Sequence, residues 1–96
     1  MNAVGRSEPW NEVLGAHLTF AARVYSPEEL QRVAAEAGLE LRLDGTNSAT
    51  CYEDVARYLS AVRAVLGETA FVSAKLTAMN KARTLGLRPP QARWFT

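Results

Sequence analysis

Isoleucine is absent from this 96-residue sequence, and cysteine and histidine occur once each, as Cys51 and His17. A single cysteine excludes an internal disulfide, and one Cys with one His excludes a Cys/His zinc cluster within the chain. No apolar run approaches the ~18–20 residues that cross a bilayer. The opening MNAVGRSEPW has neither a basic n-region nor an apolar h-region, so the chain reads as soluble and cytoplasmic. Also missing are a Gly-rich phosphate loop, GxSxG, HExxH and an EF-hand pattern, which predicts no metal, no cofactor and no enzyme.

What is present is ordinary in bulk and biased in detail. With 48% hydrophobic and 22% charged residues and a net charge of +1, the composition fits one globular domain spanning 1–96 and excludes a disordered polyelectrolyte. Of the hydrophobic residues, 16 are Ala, 11 Leu and 8 Val, so the core is built from small pieces. A domain of this length buries only about 60–65% of its unfolded surface, and a small-residue core leaves a thin margin that self-association would supplement. Nine Arg stand against two Lys, which with the missing Ile is the bias of a GC-rich coding sequence of bacterial or phage type. The charges are also segregated. Residues 1–68 hold six Arg and all ten acids, giving −4, whereas residues 69–96 hold Lys75, Lys81, Arg83, Arg88 and Arg93 without an acid, giving +5. Such a division suits contact with an acidic partner, nucleic acid or the acidic remainder of the same fold.

Local signals place the elements. Ser26-Pro27-Glu28-Glu29 is a capping box with proline at the first helical position, Leu30, Val33, Ala34 and Ala37 share the face that follows, and Gly38 ends the helix. Leu39, Leu41 and Leu43 alternate with Glu40, Arg42 and Asp44 in the period-two pattern of a strand. Its partner within the chain would be His17–Tyr25, where Leu18, Phe20, Ala22 and Val24 alternate, giving a β-α-β unit over 17–44, unless a second copy of the chain supplies the strand. The same stretch carries helical spacing through Trp10, Val13, Leu14, Leu18 and Ala21 after Ser7 and Pro9. Thr50 caps a further helix, with Glu53 three residues on and Val55, Leu59, Val62 and Leu66 along one stripe, broadened by Tyr52, Tyr58 and Val65. Glu53 and Arg57 stand one turn apart in the favourable order. After Gly67-Glu68-Thr69, a helix over 70–85 stacks Ala70, Ala74, Ala78 and Ala82 on one ridge that admits close helix approach. Gly86 and Arg88-Pro89-Pro90 then release an extended tail, 86–96. The fold class is therefore α+β and helix-rich, a β-α-β unit (17–44) followed by an antiparallel helix hairpin (50–66, 70–85). The alternative is an all-α bundle of four helices.

Few residues carry a chemical signal. Cys51 opens a helix, where unpaired amides favour thiolate, but Glu53 and Asp54 oppose it and the only histidine is distant in sequence, so an idle cysteine is the preferred reading. His17 is read as a packed histidine rather than a base. Glu28, Glu29, Glu53 and Asp54 lie in first helical turns, where dipole and capping account for them. Lys75, Lys81 and Arg83 are the candidate nucleic-acid contacts, although at 100° per residue they do not form one phosphate-tracking stripe. Trp94 and Phe95, with Arg88 and Arg93 around the stiff Pro-Pro, are the candidate partner-binding residues, because Trp and Arg are the types most enriched at binding hot spots; an equal reading folds Trp94 and Phe95 back over the alanine-rich helix hairpin of the same chain. The sequence thus points to a non-enzymatic interaction module, a small regulator or inhibitor that binds another protein and itself as a homo-oligomer. A nucleic-acid-binding regulator using the basic 69–96 segment is the alternative.

Overall fold

The computed structural model describes residues 2–41 and 52–87, with side chains from Trp10 onward in the first stretch. Among these residues there are four α-helices and no strand: α1 (Asn2–Val24), α2 (Pro27–Ala37), α3 (Tyr52–Leu66) and α4 (Glu68–Thr84). The architecture is the all-α alternative, and the α+β expectation is corrected. Residues 17–24 are helical because burial follows the helical period. Val13, Leu14, His17, Leu18 and Ala21 are all buried, whereas the strand pattern would have buried Phe20 and Val24, which are 43% and 56% exposed. Pro9 lies inside α1 rather than before its start. It has no N–H to donate to the carbonyl four residues back, so α1 lacks that backbone bond.

Leu39 is buried for a different reason than a strand would supply. Its N–H donates to the Ala34 carbonyl (3.0 Å) while Gly38 N–H donates to Ala35 (3.3 Å), a Schellman closure of α2 with Gly38 at φ 70°. The leucine that looked like the first residue of a strand is the apolar plug of a helix terminus. At the other end of α2 the capping box forms as its spacing predicts. Glu29 N–H donates to Ser26 Oγ (3.1 Å), and Ser26 N–H donates to Glu29 Oε1 (2.9 Å). The rest of the proposed second strand, 42–44, lies outside the described residues, as do Thr50 and Cys51.

α3 buries Tyr52, Val55, Tyr58, Leu59, Ala61 and Val62, a face wide enough to contact α2, α4 and α1. Arg57 pairs with Asp54 rather than with Glu53. The connection to α4 is one residue, shorter than the three-residue link in the sequence reading: Gly67, at φ 102° and ψ 175°, with Glu68 already helical. That backbone region is essentially closed to residues bearing a Cβ. α4 packs on both α3 and α1 through the alanine ridge, with Ala70, Phe71, Ala74, Ala78 and Ala82 buried. A second Schellman closure ends α4, from Gly86 N–H to Arg83 and Leu87 N–H to Ala82.

Candidate functional site

Two places depart from a plain helical core: a buried imidazole–phenol pair and the outward face of α4. His17 projects from α1 toward α3, 1% exposed, with Nδ1 2.5 Å from the Tyr58 hydroxyl. The rings of His17 and Tyr58 meet edge-on at 5.6 Å between centroids, and Phe20 leans on the imidazole at 5.8 Å. Desolvation lowers the imidazole pKa to about 4. Burial, with a smaller contribution from Tyr25, pushes the phenol above its ordinary value. Both groups are neutral at pH 7, so the pair is a hydrogen-bonded core contact, in keeping with the packed reading of this histidine. A base would need an imidazole that gains a proton near neutrality and a face open to substrate, and His17 has neither.

The sequence candidates are dispersed. Lys75 lies half-buried with its ammonium 5.4 Å from the centre of the Phe71 ring, which Arg63 also covers at 4.9 Å, so this cation is engaged within the fold. Lys81 is half-buried and Arg83 exposed, both in the last turn of α4 where they complement its carbonyl end. On a helix, positions 75, 81 and 83 point in three directions, and the structure does not gather them on one surface. Arg88, Arg93, Trp94 and Phe95 lie outside the described residues. Among the described residues, no group of three His, Cys, Asp or Glu is placed to hold a metal, and no helix is long and apolar enough to cross a membrane.

The outward face of α4 was missed at the sequence level. Val72 and Leu76 are 40% and 52% exposed and stand on the side opposite the buried alanine ridge. Around them Glu68, Thr69, Ser73, Thr77 and Asn80 line a shallow depression open to solvent. Thr77 Oγ1 donates to the Ser73 carbonyl (3.1 Å), which satisfies the hydroxyl within the helix and lets the threonine present apolar area. Between Glu68 and Arg83 this face carries no charge. Residues 69, 72, 73, 76, 77 and 80 have helical spacing, but only two of the six are apolar, a weaker pattern than the four alanines on the other side. No family model, curated protein or solved structure matches this chain. Among the described residues, the outward stripe of α4 is the site with the best physical case.

Proposed function

We propose that this chain is a non-enzymatic protein-interaction module, a small regulator or inhibitor of another protein, and that α4 supplies its contact face. The observation that carries the reading is that α4 exposes two large apolar side chains on the face opposite its buried side. One side is consumed by the core through Ala74 and Ala78, and the other leaves Val72 and Leu76 in water. A surface helix ordinarily keeps one apolar stripe and one polar face, and Val72 and Leu76 stand one turn apart on the face that is ordinarily polar. In this reading Arg88, Arg93, Trp94 and Phe95, which follow α4 directly in the chain, extend the contact with the aromatic and guanidinium groups that dominate binding hot spots.

The test is affinity capture from a lysate of the native host after nuclease treatment. The full chain is compared with Val72→Ser/Leu76→Ser and with Arg88→Ala/Arg93→Ala/Trp94→Ala/Phe95→Ala. A protein retained by the parent and lost by the first variant, and weakened by the second, supports the proposal. Retention that ignores the α4 substitutions, or that nuclease abolishes, overturns it.

A further inference from the structure

We infer that the outward face of α4 binds a second copy of this chain, with the two α4 helices antiparallel across a two-fold axis between residues 74 and 75. The inference rests on the interaction face proposed above and adds a partner to it.

The face residues 69, 72, 73, 76, 77 and 80 form a set symmetric about that midpoint: 69 with 80, 72 with 77, 73 with 76. At 100° and 1.5 Å per residue, an antiparallel mate then sets Val72 beside Leu76 of the second copy, Ser73 beside Thr77, and Thr69 opposite Asn80. Apolar meets apolar on one side of the seam, and small polar groups that allow close approach meet on the other. Each contact occurs twice, as a two-fold interface requires.

Charge chooses the direction. Glu68 and Arg83 bracket the stripe on the same flank of α4, and both are exposed. Parallel helices would place Glu68 against Glu68 and Arg83 against Arg83, and would align the two helix dipoles unfavourably. The antiparallel arrangement brings Glu68 within about two residues' rise of Arg83 in the second copy, on the same side of the seam, at both ends. Within its own chain Glu68 accepts from Arg63 Nε through Oε1 (2.7 Å), whereas Arg83 makes no ion pair among the described residues. The second copy gives that guanidinium its carboxylate.

Area sets the strength. The stripe from residue 69 to residue 80 is about 17 Å long and about 10 Å wide. Two such strips fall short of the ~1,000 Å² that stable interfaces exceed, so the dimer is weak and dissociates on dilution.

The experiment is sedimentation equilibrium of the purified full chain from about 10 μM to about 1 mM, a range that brackets a weak interface. A monomer–dimer equilibrium is expected. Leu76→Glu should raise the dissociation constant at least tenfold, since it sets two carboxylates close to the axis. Glu68→Arg should weaken the dimer, and Glu68→Arg/Arg83→Glu should restore it. Circular dichroism checks the fold of each variant. Should Leu76→Glu lose helix, Ser73→Cys in a Cys51→Ser background replaces it, because positions 73 lie about 4.5 Å apart along the axis and oxidation should yield a covalent dimer. A chain monomeric throughout, a dimer indifferent to Leu76→Glu, no rescue by a double charge reversal whose helix content and urea midpoint match those of Glu68→Arg, or no cross-link would each overturn the inference. A monomer that still captures another protein through Val72 and Leu76 defeats the homodimer alone. A dimer whose capture of other proteins ignores those residues defeats the function proposed above alone.

Discussion

Acid should unfold this protein through His17 before the carboxylates account for it. In the folded chain the imidazole is 1% exposed and its pKa is lowered by desolvation to about 4, against an ordinary value of 6.5. A histidine depressed in this way holds its neutral form when folded and takes up a proton when unfolded. Between pH 6.5 and 4 the unfolded chain therefore binds one more proton than the native chain, and stability falls as pH falls. The gap of about 2.5 units corresponds to ~3 kcal/mol at ~1.4 kcal/mol per unit, complete at pH 4 and absent above pH 7.5. Against a total of roughly 5–14 kcal/mol for a chain of this size, that is a large fraction. At about 4–8 °C per kcal/mol it lowers Tm by more than 10 °C. The assay is urea denaturation followed by circular dichroism at several pH values from 7.5 to 4, for the parent and for His17→Gln, whose amide can hydrogen-bond Tyr58 but does not titrate. The variant starts less stable because it packs less well, so the slope carries the information. The parent curve should descend by ~1.4 kcal/mol per pH unit more steeply than the variant across the window. Carboxylate titration is common to both and cancels. Parallel curves would refute the buried-imidazole argument.

Three further outcomes follow from the same geometry. Gly67→Ala should cost about 1–3 kcal/mol in urea melts although the new Cβ meets nothing within 4 Å, because the cost is the φ of 102° itself. Ser26→Ala should lose ~1 kcal/mol by removing the acceptor for Glu29 N–H, measured as a lower urea midpoint with unchanged m-value. Ala78→Leu, on the buried ridge between α4 and its neighbours, should destabilise by about 1–3 kcal/mol through overpacking, whereas Asn80→Leu on the outward face should leave thermal stability within about 0.5 kcal/mol.

The cap of α2 and the glycine stops after α2, α3 and α4 were legible before the structure, whereas the starts of α1 and α4, and helix against strand, were not. Ser26 with Glu29, and Gly38 after Ala37, are short-range chemistry in which side chain and backbone satisfy each other within a few residues, so the sequence contains the whole interaction. The stripes of α3 and the alanine ridge of α4 were legible for a related reason, since a repeat of three and four residues over several turns has one regular solution. Residues 17–24 satisfied two periods at once. Leu18, Phe20, Ala22 and Val24 alternate while Val13, Leu14, Leu18 and Ala21 spiral, and the choice fell to whichever face α3 and α4 could cover. Leu39 was misplaced because a Schellman plug and the first residue of an apolar strand look alike in one dimension.

By itself, then, the sequence determined the local bargains: caps, stops, the direction of helical stripes, the segregation of charge, and the absence of a staple or a catalytic motif. Tertiary structure decided which of two apolar patterns in α1 was buried, that His17 lost water and gained Tyr58, and that α4 kept Val72 and Leu76 in solvent. These depend on which surfaces meet across tens of residues, and burial is a property of the pair of surfaces rather than of either stretch of chain.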